Sequence, residues 1–449
     1  MVEGRTHRPV IHPERCHPCD VCIRGCPAEL IPEYRLEEKS LRGTLYREKL
    51  RGGLLKDRIP LPACQEACPI RQDAKGYVAL VARGKIKEAL DLIREVNPLP
   101  AVCGFICHHP CEEVCLREGA DHPVPIRLLK RFVAEHERNE AWKGRKPGKR
   151  RRGNVLVIGS GPAGLTAAND LTLLGYEVTI FESLPLLGGM LATGIPEFRL
   201  PRDILNMEIE GIGRMGVEMK PNHTFRWKEG RNTFLRLGFD AVFLSVGAQC
   251  SLGLNIEGKH LNGVLSGLEF LRGIHLGKKT SVGEKAVVVG GGNVAVDVAR
   301  SAWRMGAKQV LMACLESREE MPAIQEEVEE AIREGVKIHF LASPVRIIGK
   351  AGKAIGMEFS RISPEGGRSS SFRLRADTVI TAIGQRVDPR ALRCFDLNPE
   401  GTVRVDPETG ETSLNGVFSG GDVVTGPGWA INAIAAGKRG AKAIDHYLS

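Results

Sequence analysis

At 449 residues the chain has room for about three domains, and with 42% apolar and 26% charged residues it can bury sizeable cores and is neither disordered nor fibrous. No apolar run approaches the ~18 residues of a membrane span, and residues 1–14 (MVEGRTHRPVIHPE) lack the apolar core of a secretory signal, so a cytoplasmic protein is expected. The net charge of +9 does not point to nucleic acid, because residues 143–152 (KGRKPGKRRR) carry seven positive charges with no acid and leave only +2 elsewhere. That run reads as a solvated linker, with an acidic partner or a neighbouring subunit as the sharper alternative.

In chain order, the first feature is Cys16-x2-Cys19-x2-Cys22-x3-Cys26-Pro27. Of thirteen cysteines, ten fall between Cys16 and Cys115, which argues against uniform disulfide stapling; a reducing cytosol makes packed thiols metal ligands instead. Four thiols within eleven residues match the bacterial run that holds [4Fe–4S] clusters, whereas zinc sites usually join two knuckles over a longer span. His17 beside them reads as a surface residue. A second set follows as Cys64-x3-Cys68-Pro69 and Cys103-x3-Cys107-x3-Cys111-x3-Cys115. Between its halves, residues 76–96 have apolar residues at helical spacing, and Asn97-Pro98 stops the helix.

After the basic run the pattern changes to strands and glycine turns. Residues 154–158 (NVLVI) predict a buried strand, residues 162–174 a helix and residues 177–181 a second strand. Between them lies Gly159-Ser160-Gly161-Pro162-Ala163-Gly164, a full G-x-G-x-x-G dinucleotide cradle, and Glu182 ends the next strand, where an acid accepts ribose hydroxyls. The order returns 131 residues on, with a strand at 285–289, Gly290-Gly291-Gly292-Asn293-Val294-Ala295, a helix to about 305 and a strand at 309–314. Ala295 stands at the third glycine position, and Glu316 occupies the ribose position. An acid there bonds the 2′-hydroxyl of NAD and repels the 2′-phosphate of NADP, so NAD(H) is favoured over NADP(H); Arg318, two residues on, is the group that could accommodate a phosphate.

Two cradles on one chain suggest a flavoprotein exchanging hydride with a nicotinamide. Leu187-Gly188-Gly189-Met190, residues 194–201 (GIPEFRLP) and Met321-Pro322 resemble the small (β) subunit of glutamate synthase, a family of FAD/NAD(P) oxidoreductases that includes the flavin part of dihydropyrimidine dehydrogenase. The resemblance runs from about residue 62 to the C-terminus, with the ferredoxin-type run added before it. It implies FAD in the first cradle, with Gly189, Met190 and Arg199 nearby and Gly421-Asp422 of residues 417–422 (VFSGGD) at the ribityl or pyrophosphate end. It places the nicotinamide in the second cradle, with Gly384 at a strand-end turn where the chain crosses between domains, as at residues 245–248. The helix starting near Trp429 would aim its N-terminal dipole at the flavin.

The second cysteine set resembles the helical iron–sulfur domain of the same family. By that analogy Cys68, Cys107 and Cys111 share one cluster, Cys64 and Cys115 serve another, and Cys103 is the non-ligand. Two departures stand out: residues 54–63 lack the usual preceding cysteine pair, and Lys130 falls where a carboxylate or amide completes one cluster. Either the N-terminal run makes its own cluster, or its thiols complete a shared site; two [4Fe–4S] clusters are expected. His108 and His109 read as solvent or supporting groups, and Cys250, Cys314 and Cys394 as packed thiols. With no cysteine in residues 188–199, a thioredoxin-reductase-like activity is not expected.

The expected architecture is therefore an α/β flavoprotein with two dinucleotide-binding domains: a ferredoxin-like segment (1–60), a helical iron–sulfur domain (61–142), a basic linker (143–153), a Rossmann-like FAD domain (154–270 and 385–449) and an inserted NAD domain (271–384). The expected function is electron transfer between NADH and a redox partner, such as ferredoxin or an iron–sulfur dehydrogenase, hydrogenase or synthase subunit, within a hetero-oligomeric complex. Hydride transfer needs stacking geometry rather than a catalytic acid–base pair. Supplying electrons to a glutamate synthase large subunit is the alternative enzyme role, and a non-catalytic cluster-bearing scaffold the alternative outside catalysis.

Overall fold

The computed structural model describes residues 61–136, 145–151, 153–227, 230–363 and 367–449. The ferredoxin-type run with Cys16, Cys19, Cys22 and Cys26 lies outside the described residues. Among the described residues no helix is long and apolar enough to cross a membrane.

The cysteine-bearing part is a packet of short helices, with Ala74–Ala82, Ile86–Arg94, Pro100–Ile106 and Ile126–His136 the longest. The single helix expected over 76–96 is two. Asp73 caps the first by accepting the Gly76 N–H at 2.7 Å, and Gly84 at φ +72° turns the chain left-handed between them. Asn97 ends the second by accepting the Leu99 N–H at 2.9 Å, and Pro100 opens the next helix at a position where its missing N–H costs nothing.

The first-cradle domain is a five-stranded parallel sheet in the order Val417–Ser419, Ala241–Leu244, Asn154–Ile158, Glu177–Phe181, Glu218–Lys220. Runs of buried Val, Ile, Leu and Phe suit strands covered on both faces. The helices Pro162–Leu174 and Ala430–Leu448 pack on each other through Gly437, where a side chain would collide with the Ala163 carbonyl. The second-cradle domain is another five-stranded parallel sheet, ordered Val264–Ser266, Thr378–Thr381, Lys285–Val289, Gln309–Ala313, Lys337–His339, with an antiparallel three-stranded sheet beside it. The chain crosses between the two domains at the antiparallel pair Cys250–Ser251 and Gln385–Arg386. The second domain thus begins before Val264, earlier than the boundary expected at 270.

The helical packet is not a separate body hung on a linker. Cys68, Ile70, Leu99, Val102, Cys103 and Ile106 share one core with Val155, Leu165, Leu171, Ile180 and Ile434 of the first-cradle domain. Glu208, fully buried on Arg202–Arg214, accepts the Ala101 and Val102 N–H groups at 2.6 and 3.0 Å and so caps the Pro100–Ile106 helix across the seam. The basic run is exposed throughout its described part, as expected of a solvated segment, and is tied down at its end: the Arg151 N–H donates to the Gly175 carbonyl at 2.8 Å, and the Arg151 and Arg150 guanidinium groups pair with Asp445 and Glu177 at the surface.

Candidate cofactor and cluster sites

The first cradle closes between the Asn154–Ile158 strand and the Pro162–Leu174 helix. Gly164 brings helix and strand so close that a side chain there would run into the Gly159 carbonyl, while one on Gly161 would point into open space, as a pyrophosphate seat requires. Gly189 lies over Gly161, its Cβ position 2.9 Å from the Gly161 Cα, and that of Gly421 is 3.1 Å from the Ala163 Cβ. The structure therefore brings Gly159, Gly161, Pro162, Ala163, Gly164, Gly189 and Gly421-Asp422 to one place. Met190 follows, with its methyl group folded against Gly194. Asp422 is pushed up to about 6 by burial, against the effect of the Gly428 N–H. Glu182 is buried and works on the cradle itself, accepting the Ser160 N–H and hydroxyl at 3.0 and 2.7 Å and the Leu184 N–H at 2.9 Å.

The second cradle lines a cavity of about 620 Å³ that includes Gly290, Gly292, Asn293, Glu316 and Gly384. Here too the central Gly292 faces open space, and Ala295 is fully buried, so the small side chain fits the third position. Glu316 differs from Glu182: its Oε2 is buried without a hydrogen-bond partner and stands 2.6 Å from where a Gly291 Cβ would be. An orphaned carboxylate oxygen at the edge of a phosphate cradle suits a ribose hydroxyl donor. Asn293 spends its side-chain oxygen on the Ile324 N–H at 2.8 Å, anchoring the turn after Pro322, another cavity residue. Cys314 also lines the cavity, its thiol raised to about 11 by burial and then by Glu316.

The same cavity reaches Pro427 of the first-cradle domain, two residues before Trp429. Trp429 caps the Ala430–Leu448 helix and stacks on His108 of the cysteine loop, ring centroids 4.4 Å apart. No spacing rule joins residues so far apart in sequence, and this contact was not foreseen.

The Arg199 guanidinium pairs with Asp297 at 2.7 Å and Glu327 at 3.0 Å on the helices Asn293–Arg304 and Gln325–Arg333, joining the two domains. Phe198 beside it lies under Arg300 and Arg304, at 4.6 and 4.3 Å from ring to guanidinium carbon.

The six described cysteines of the helical part fall into two sets. Burial pushes the Cys107 thiol up and Cys111 to about 12, each opposed first by Lys130; Cys68 and Cys103 belong to the same nest, and Cys103 too is raised to about 12. His109 donates its N–H to the Cys107 sulfur at 3.4 Å. Cys64 is raised by burial and, among its neighbours, by Cys115, so these two half-buried thiols form the other set. Among the described residues no three His, Cys, Asp or Glu side chains converge as they would on a single ion. A cube takes its thiolates on separate corners, and thiolate is the donor that Fe–S ligation uses.

Comparison with known proteins follows the same division. Residues 153–437 match pyridine nucleotide-disulphide oxidoreductase. The chain belongs to that family. Residues 60–142 match dihydropyrimidine dehydrogenase domain II, 4Fe–4S cluster. The β subunit of an NADP(+)-dependent formate dehydrogenase from Moorella thermoacetica is 40% identical, over 86% of this chain and 60% of its own length. The β subunit of an NADPH-Fe(3+) oxidoreductase from Geobacter sulfurreducens is 37% identical, over 87% and 64%. The chain therefore spans less than two thirds of either relative. The PreT subunit of an NAD-dependent dihydropyrimidine dehydrogenase from Salmonella typhimurium is 34% identical, over 86% of this chain and 91% of its own.

Two solved structures share the fold: FprA from Mycobacterium tuberculosis (TM-score 0.56, 19% identity, 66% of this chain and 85% of that one) and T. acidophilum thioredoxin reductase (0.51, 19%, 66% and 98%). As a pyridine nucleotide-disulphide oxidoreductase family member, the chain is an oxidoreductase with an α/β dinucleotide-binding fold and a 4Fe–4S domain ahead of it.

Proposed function

We propose that this chain is the flavoprotein subunit that exchanges electrons between NADH and a redox partner, through FAD in the first cradle and two [4Fe–4S] clusters. When bound, FAD supplies the conversion of a two-electron hydride donor into single electrons that Fe–S centres accept. The observation that carries the reading is the continuity of the chain's own parts. One cavity runs from Gly290–Gly292 and Glu316 to Pro427, and Trp429 just beyond it stacks on the loop between Cys107 and Cys111.

Gly161 and Gly292 offer bare backbone to the two pyrophosphates, Glu182 stiffens the first cradle through Ser160, and Glu316 meets the nicotinamide dinucleotide's adenosine ribose. Cys68, Cys107 and Cys111 would hold one cluster; Cys64 and Cys115 would join thiols from the N-terminal run at the other. No residue is assigned a proton-transfer role.

The favoured nucleotide is NAD(H), because Glu316 would face a 2′-phosphate with a buried, unpartnered carboxylate oxygen. The partner is an iron–sulfur dehydrogenase, hydrogenase or synthase subunit or a ferredoxin, in line with relatives named as subunits of larger enzymes. The test is anaerobic purification with cofactor analysis and NADH-dependent benzyl viologen reduction. FAD, iron and turnover together support the reading; a protein without flavin, or one whose dye reduction ignores NADH, leaves the scaffold role.

A further inference from the structure

The chain crosses between the two nucleotide domains at one short antiparallel pair, Cys250–Ser251 with Gln385–Arg386, and a link of that kind lets domains turn on one another unless packing stops them. A strap of hydrogen bonds and buried ion pairs runs from cradle to cradle. It starts at Gly189, which lies over Gly161, and passes along the Met190–Thr193 helix to Arg202, whose guanidinium donates to the Leu191 and Ile195 carbonyls at 2.8 and 2.6 Å and fixes the loop that carries Arg199. Arg199 then crosses to Asp297 and Glu327, with 9% of its own side chain and 4% of that of Asp297 exposed. Glu327 lies on the Gln325–Arg333 helix, and the two residues leading into that helix hold the second cradle: the Ala323 N–H donates to the Gly291 carbonyl at 3.2 Å and the Ile324 N–H to the Asn293 side chain at 2.8 Å. The same helix reaches the cysteine-bearing part through Glu326 and Arg127 at 2.7 Å, but that carboxylate is 63% exposed, and a pair so open to water contributes little. Arg300 anchors the helix within its own domain, meeting Glu327, Glu330 and Glu334 at 3.1, 2.9 and 2.7 Å. Arg199 is thus the buried cation that spans the domains.

We propose that Arg199 is a positioning residue for hydride transfer: by holding the Gln325–Arg333 helix to the first-cradle domain, it fixes the second cradle, and the nicotinamide in it, at reacting distance from the flavin. The proposal rests on the reading that FAD fills the first cradle and NADH the second. The step it serves breaks the nicotinamide C4–H bond and delivers the hydride, with both its electrons, to the flavin, leaving NAD+ and reduced flavin. Such a transfer needs the reacting atoms about 3–3.5 Å apart, and a misplacement of about 1 Å costs about 10²-fold in rate. A buried pair suits that task, because salt and water screen it far less than a surface one.

The test compares the full chain as parent, Arg199→Met, Arg199→Lys and Glu327→Gln, the last of which keeps the Arg199–Asp297 pair and is the milder change. On the flavin-free proteins, NADH affinity and amide hydrogen exchange are measured; on the flavin-loaded ones, the rate of flavin bleaching at saturating NADH and 4-deuterated NADH. In Arg199→Met the NADH Kd should stay within about twofold of the parent's, exchange should quicken in residues 190–202 and 323–334, and bleaching should slow about 10- to 100-fold with a deuterium effect at least as large as the parent's. Arg199→Lys should recover bleaching to within about threefold, and Glu327→Gln should slow it about three- to tenfold. Bleaching at the parent rate in Arg199→Met, or in Glu327→Gln should Arg199→Met not fold, would overturn the proposal. So would a loss that disappears at saturating NADH, which would make Arg199 a group that binds the nucleotide. A parent that holds no flavin, or whose flavin ignores NADH, would instead refute the underlying reading.

Discussion

The His108 imidazole lies flat on the Trp429 indole, centroids 4.4 Å apart and planes 17° from parallel. One ring follows Cys107 and the other caps the helix Ala430–Leu448, so the stack joins the cysteine loop to the nucleotide domain two residues beyond Pro427, which lines the cavity. Trp429→Ala should leave NADH-driven flavin reduction at the parent rate and slow the onward passage of electrons to the clusters, both followed by rapid-mixing absorbance. Removing so large a ring from a packed seam also costs on the order of 3 kcal/mol of stability. Trp429→Phe should recover most of both. Equal rates in Trp429→Ala and parent would remove the seam from the electron route.

Glu316 makes the nucleotide preference testable. Its unpartnered Oε2 has no hydrogen bond to lose, so Glu316→Ala should weaken NADH by the worth of a hydrogen bond to a charged group, about 1.5–3 kcal/mol, with little effect on NADPH. Glu316→Arg should turn the preference toward NADPH. The check is the ratio of kcat/KM for the two nucleotides, and a ratio unchanged in both variants would clear Glu316 of any role in selection.

Arg199 separates a structural role from a cofactor role. Arg199→Ala leaves the buried Asp297 without its cation, while Glu327 keeps Arg300 at 3.1 Å, and stranding a buried carboxylate in this way costs roughly 3–5 kcal/mol. Urea unfolding should register that loss while FAD content per chain stays at the parent level. If Arg199 bound the cofactor, the opposite split would appear.

Asp422 supplies a pH dependence. Its folded value of about 6 lies above the ordinary 3.8, so in the flavin-free protein the proton is held more tightly folded than unfolded. The resulting stabilisation is complete below about pH 4 and is lost as the pH rises through 6. Asp422→Asn cannot ionise, and above pH 6 it should exceed the parent by on the order of 3 kcal/mol while matching it near pH 4. Urea melts of the flavin-free proteins at pH 4, 5 and 7 check this; parallel profiles would contradict it.

The two cradles were legible because each is local: a β-branched run, a glycine turn and a helix within about thirty residues leave little choice of fold. The same locality made the cysteine sets readable. What escaped the sequence is what long-range packing decides. Glu208 caps a helix 107 residues away, and Arg199 reaches across 98 residues to Asp297, pairings that no periodicity encodes. Gly84 alone broke the 76–96 helix, because a glycine in a helical pattern is tolerated as often as it ends one. The basic run shows the same limit: charge composition placed Arg150 and Arg151 in solvent, where they are, but could not show the Arg151 backbone hydrogen bond to Gly175 or the surface pairs with Glu177 and Asp445.

The central claim is that one chain carries electrons from a nicotinamide, through its own flavin, into its own clusters. Anaerobic addition of NADH to the purified full-length protein, followed by absorbance and EPR on the same sample, tests it most directly. The flavin band should bleach and a reduced-cluster EPR signal should appear without any added partner. A flavin that bleaches while the clusters stay EPR-silent under excess NADH, or a flavin that does not respond to NADH, would contradict the account.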